Sequence, residues 1–192
     1  PNNNMNNELN YPHSTKEVIQ LLQFMKGGLE MPLPYNILCF RTAICRNETI
    51  KKQKKYLEMF EKAETFVVEI SSRKKYVHKN YYLHNLIFDK TYFKVRGKDG
   101  NYGLSLFERE FPEVVNNFKI EKQTDEEIES DILEIKRLIN GKKLIIVSHF
   151  NVKMDGKKIM ARENLISLLK SVCQKHKINF VSPSDLMYDY KQ

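Results

Sequence analysis

Residues 124–151 read TDEEIESDILEIKRLINGKKLIIVSHFN, and most of the architecture follows from how that stretch is parsed. Thr124 and Glu127 form a capping box, in which a hydroxyl and a carboxylate each satisfy a backbone N–H that the first helical turn leaves over. Ile128, Ile132, Ile135 and Ile139 then recur at three- and four-residue intervals, the signature of one buried helix face. Gly141 closes that helix. Leu144–Val147 is short, apolar and uninterrupted, which suits a strand buried in a parallel sheet.

The same alternation extends downstream. Leu165, Leu168, Leu169 and Val172 mark a core-facing helix over Arg162–Lys177. Ile178–Val181 is a last strand, closed by Pro183. Upstream, Ser14 and Glu17 form another capping box, followed by Val18, Leu21, Leu22 and Met25 on one face, and Gly27-Gly28 stops the helix. Ile37-Leu38-Cys39-Phe40, after Pro32 and Pro34, is expected to be a buried strand. Asn47 caps a helix carrying Ile50, Leu57 and Phe60, and Thr65–Ile70 is a β-branched strand. The aromatic stretch 76–123 is expected to be an irregular or hairpin insertion, with a turn signal at Lys98-Asp99-Gly100-Asn101. Strands separated by helices imply βαβ crossovers. The expected fold is therefore α/β, a three-layer sandwich with a mainly parallel sheet covered on both faces. Residues 1–12, rich in Asn, read as a flexible arm, and 13–192 as a single domain. The chain opens on Pro1 rather than Met, as a processed chain or a piece of a longer product does.

Of the 192 residues, 41% are hydrophobic, enough for a core, and no apolar run approaches the length that spans a bilayer. No membrane association is expected. Three cysteines without a CxxC pair exclude a zinc ribbon and a disulfide scaffold, and suit a reducing, cytoplasmic setting. There are 32 basic against 24 acidic residues, a net charge of +8. The lysines are spread along the chain without a nucleic-acid signature, so they read as a solvated surface rather than a phosphate track. No HExxH, GxGxxG, Walker loop or GxSxG elbow is present, so neither a metal nor a cofactor is expected.

In an open parallel sheet, ligands bind beyond the carboxyl ends of the strands. Arg41 follows the first expected strand. Glu69, Ser71, Ser72, Arg73, Lys75 and Tyr76 lie at or beyond the end of the second, Ser148, His149 and Asn151 of the third, and Asp185 of the last. His149 is the preferred general base, because an imidazole titrates near neutral pH, with Ser71, Ser72 or Ser148 as the hydroxyl it activates. Arg41, Arg73 and Lys75 are candidates for an anionic group. Glu69 is expected either to pair with Arg41 or Arg73 or to orient a histidine. His84, among tyrosines, either faces this cleft or is a packed core histidine. His13 precedes a helix cap, and His78 is expected on the surface.

The strand Glu64–Ile70 with a polar residue at its end, the later strand Lys143–Ser148 after a long helix, and Asp185 after the last strand together resemble the SGNH/GDSL-like superfamily of esterases and O-acyltransferases. His13–Glu17, Glu69–Tyr76 and Val147–Phe150 look like motifs of a group within it. The resemblance implies a flavodoxin-like sandwich and serine-dependent acyl transfer or hydrolysis, acting on a small acylated molecule or a glycan. No Gly-Asp-Ser block is present, and Asp185-Leu186-Met187-Tyr188 stands where that superfamily has Asp-x-x-His. A catalytically degenerate module that binds an anionic sugar or nucleotide is therefore the alternative, with nucleic-acid binding third. Oligomeric state is not legible in the sequence.

Overall fold

The computed structural model describes residues 12–39, 49–84, 109–151 and 158–185. In chain order the elements are α1 (Thr15–Met25), α2 (Tyr35–Leu38), α3 (Thr49–Lys62), β1 (Thr65–Ile70), β2 (Lys74–His78), β3 (Tyr81–Leu83), α4 (Pro112–Asn117), β4 (Lys119–Lys122), α5 (Asp125–Leu138), β5 (Lys143–Ser148), α6 (Met160–Lys175) and β6 (Asn179–Val181). The capping box forms in full at α5, while at α1 the Ser14 hydroxyl caps the helix and the Glu17 carboxylate reaches the His13 amide instead of that of its own N-cap. Ser14 caps α1 and accepts the Glu17 amide, and Thr124 and Glu127 satisfy each other's backbone at α5. Helix α1 ends in a Schellman motif: Gly28 N–H donates to Gln23 and Gly27 N–H to Phe24, with Gly27 at a φ of 75° that favours glycine.

Three strands form a parallel sheet in the order β1-β5-β6. A second, antiparallel sheet has the order β3-β2-β4. The molecule is thus mixed α/β. The crossovers β1-to-β5 and β5-to-β6 step in the same direction, so the right-handed rule puts α5 and α6 on one face of the parallel sheet, and these two helices touch. That face is the core: Val68, Ile70, Leu144, Ile146 and Ser148 are buried, with Ile128, Ile132, Ile135, Leu169 and Val172 over them. On the opposite face burial is lower among the described residues. Val67 is 65% exposed and Val181 38%. The strands therefore alternate in burial, where burial on both faces was expected, because the two crossover helices share a side.

One further expectation is corrected. Residues 37–40 were expected as a strand, yet Tyr35–Leu38 is helical. A four-residue apolar run fits either state, and here Pro32 and Pro34 supply the carbonyls that the amides of Asn36, Ile37 and Leu38 bond, closing helical turns. The hairpin in the aromatic region turns at Lys79-Asn80, between β2 and β3, with Lys79 at φ 53°. The 98–101 turn signal, the arm up to residue 11 and Arg41 lie outside the described residues.

The isoleucine stripe of α5 dominates packing, and Ile132 is fully buried. Ile132→Ala removes buried methylenes and leaves a cavity. Urea denaturation is expected to show a loss of about 2–5 kcal/mol; a change below about 1 kcal/mol would mean that α5 is not the core helix.

Candidate active site at the carboxyl edge of the parallel sheet

The site is built where β1 gives way to a turn. The amides of Ser71 and Ser72 both donate to the His13 carbonyl, at 3.0 and 2.9 Å. This docks His13, the residue before the α1 N-cap, onto the end of β1, with Ser71 58 positions away in sequence. His13 Nδ1 then lies 2.8 Å from Ser71 Oγ, both residues half-buried. A hydroxyl within hydrogen-bond reach of an imidazole nitrogen is the minimal arrangement for an activated nucleophile.

The rest of the α1 N-terminus is pinned by a buried polar network. The Thr15 hydroxyl donates to Asp131 Oδ2 at 2.6 Å, and Gln123 Nε2 donates to the same oxygen at 2.7 Å. Lys16 Nζ pairs with Asp131 Oδ1 at 2.7 Å. The Gln123 amide donates to the Arg73 carbonyl, closing the network onto the turn that carries Ser71. Such a network is stable only when every member is satisfied, and it then fixes one geometry. Beneath it sits Glu17, almost wholly buried. Its Oε2 accepts the His13 amide at 3.2 Å and its Oε1 the Ser14 hydroxyl at 3.0 Å. Burial pushes this carboxyl up from its ordinary 4.5 to about 8, against the lowering effect of those hydrogen bonds. His84, fully buried, packs edge-on to His13 with ring centroids 5.4 Å apart.

Ser71, Ser72, Arg73 and Lys74 form one wall of a cavity of about 960 Å³. Lys122 and Asp125 line it too, and the first half of α6 forms another wall with Arg162. Four cationic side chains thus surround a space that begins at Ser71. Arg73 is paired with Asp125, and Arg162 Nη1 donates to the Phe150 carbonyl at 2.9 Å.

The parallel register carries the other strand ends to the same edge, since Ile70 is level with Ser148, and Val147 with Val181. His149 there has its own partner: Nδ1 lies 2.6 Å from Glu69 Oε1, with both side chains over a third exposed. Glu69 therefore pairs with a histidine, while Arg73 pairs with Asp125. The hydrogen-bond partner of Ser71 is His13 and not His149, the preferred base in the sequence.

The remaining candidates are placed as follows. Ser72 Oγ accepts the Lys74 amide and shapes the turn. Lys75 is buried; desolvation opposes its charge, but hydrogen bonds to Glu127 and Glu121 outweigh it and hold its pKa above the ordinary lysine value. Tyr76, expected near the ligand, is a core residue stacked on Phe118. Ser148 is 1% exposed on the covered face, its hydroxyl shut off from solvent because alternation turns it inward with Ile146. Asn151 frames the start of α6: its amide donates to Ser184, its Nδ2 to Glu163, and its Oδ1 accepts the Ile159 amide. Asp185 is exposed in the turn after β6. His78, expected on the surface, is buried, with Nδ1 2.8 Å from the Tyr35 hydroxyl and Nε2 3.5 Å from Glu113. The pairing of His13 with Ser71 was missed; its only trace was the block His13–Glu17, noted as a motif without a role. Among the described residues no three His, Cys, Asp or Glu side chains converge as a metal site needs, and no helix is long and apolar enough to cross a membrane.

A parallel-sheet α/β domain with a serine–histidine pair and a cation-lined cavity at the carboxyl edge belongs to the broad class whose sites are grafted onto strand ends. The chain belongs to the TviD N-terminal domain family, whose model matches residues 1–112 and 103–192. It is similar to the Vi polysaccharide biosynthesis protein TviD of Salmonella typhi, with 21% identity over 209 aligned positions covering 95% of this chain. The match takes in 24% of that relative, so the chain spans about a quarter of its length. No solved structure matches the chain.

Proposed function

We propose that this domain catalyses serine-dependent acyl transfer or ester hydrolysis on a glycan-type substrate, as an SGNH-like fold in a reducing, cytoplasmic setting. The observation that carries it is the 2.8 Å contact between Ser71 Oγ and His13 Nδ1, with Ser71 a residue of the cavity wall. In the forward step Ser71 Oγ attacks the acyl carbon while His13 Nδ1 takes the hydroxyl proton. The bond to the departing alkoxide breaks, and that group leaves with the proton. Water or a sugar hydroxyl, giving its proton to His13 Nδ1, then attacks the acyl group; the bond to Ser71 Oγ breaks and Ser71 Oγ takes that proton back. His149, its Nδ1 held by Glu69, presents its other nitrogen at the same edge as a second base. Arg73 and Arg162 bind an anionic part of the substrate. A glycan substrate is supported by the relative, whose name places it in polysaccharide biosynthesis. The SGNH-like reading carries with it a flavodoxin-like three-layer sandwich.

Hydrolysis of short p-nitrophenyl esters tests the reading. His13→Ala is expected to lower kcat by about 10²–10⁴-fold, the usual worth of a general base; unchanged turnover would set it aside. A second reading, favoured by the four cations around the cavity, is binding of an anionic sugar or nucleotide without turnover. It predicts a rise in Tm with acidic sugars or nucleotides by mass action in a protein that turns over no ester.

A further inference from the structure

The two capped helix starts provide an internal comparison. Glu17 and Glu127 are the same residue type at the same third helical position, each three residues after a hydroxyl cap. Glu127 is 39% exposed, accepts the Thr124 amide at 2.8 Å and pairs with Lys75. Glu17 is 4% exposed. Capping needs no burial, as Glu127 demonstrates, and withdrawing a carboxyl from water is unfavourable. Where Glu127 accepts the amide of its own N-cap, Glu17 accepts the amide one residue earlier, that of His13, at 3.2 Å. The His13 backbone is thereby held on both sides, its N–H by Glu17 and its carbonyl by the amides of Ser71 and Ser72. With both fixed, and the ring packed against His84, the imidazole Nδ1 lies on Ser71 Oγ.

We infer that Glu17 is a positioning residue for the Ser71–His13 pair, its buried carboxyl locking the His13 backbone so that Nδ1 stays on the serine hydroxyl. The inference rests on the function proposed above. Departures from ordinary placement, such as a buried carboxyl at a cap, concentrate where geometry must be exact to fractions of an ångström.

The experiment measures modification of the intact protein by a fluorophosphonate, with the adduct located by mass spectrometry. Its maximal rate and half-saturating concentration are determined for wild type, Glu17→Ala, Glu17→Gln and Glu127→Gln, with folding checked by calorimetry. Loss of alignment at a reacting atom costs roughly 10²-fold per ångström. Glu17→Ala is thus expected to lower the maximal rate about 10–100-fold, and Glu17→Gln, whose single amide oxygen can still accept the His13 N–H, about 3–10-fold. Half-saturation is expected to move less than about twofold, and Glu127→Gln to match wild type. If Glu17→Ala does not fold, Glu17→Gln decides alone. Wild-type rates in folded Glu17 variants, or an equal loss in Glu127→Gln, would overturn the positioning role while leaving Ser71 as nucleophile. A wild-type protein with no adduct at Ser71 would overturn the proposed function itself, and this inference with it.

Discussion

Ser71→Ala is expected to reduce ester turnover by about 10³-fold or more, to the level that binding alone sustains. The substitution removes one oxygen from a half-buried turn residue whose amide, bonded to the His13 carbonyl, is untouched. Its effect on stability is therefore small, and the loss, equivalent to about 4 kcal/mol of transition-state stabilisation, falls on kcat. Ser72→Ala provides the contrast. The Ser72 hydroxyl accepts the Lys74 amide, so its removal loosens the turn and changes turnover by less than about tenfold. Equal losses at the two positions would show that turn geometry, and not a nucleophile, is being measured.

The second large effect is in stability against pH. Burial raises the Glu17 carboxyl from 4.5 to about 8 in the folded protein. Between those values the folded state holds a proton that the unfolded chain releases, so stability falls as pH rises. The contribution is fully present below about pH 4.5, declines through the neutral range and is gone once pH passes about 8. Glu127, Glu129 and Glu134 are held below the ordinary carboxylate value, first by hydrogen bonds from Thr124, Lys175 and Arg137 respectively; they act in the opposite sense, but at pH values below that window. Urea midpoints at pH 5, 6, 7 and 8 are expected to fall with a total change on the order of a few kcal/mol. Glu17→Gln removes a titrating group and flattens the profile. A profile equally steep in Glu17→Gln would assign the effect to other groups.

Local rules carried the fold a long way. Thr124/Glu127 and Ser14/Glu17 marked two helix starts, and the apolar runs at 65–68 and 144–147 marked two neighbouring parallel strands. Those rules failed where two local states compete over a few residues. Ile37 and Leu38 fit a strand or a helical turn, and the adjacent prolines tipped them to the turn. The alternating burial of those strands was not legible, because it follows from both crossovers stepping the same way, which no stretch of sequence states. At the site, Ser71, Arg73, Glu69 and His149 were legible as polar groups at strand ends. Their partners were not, since His13 reaches Ser71 across 58 positions and Arg73 meets Asp125 across 52. Tyr76 shows the converse error: nearness in sequence to a polar turn put a core aromatic on the candidate surface.

The most direct test of the central claim is to expose the folded protein to a fluorophosphonate and map the adduct by tandem mass spectrometry. One modification on the peptide spanning residues 65–73, assigned to Ser71 and lost in His13→Ala, is the expected result. An adduct confined to another residue, or none in wild-type protein under conditions that modify a known serine esterase, would contradict it.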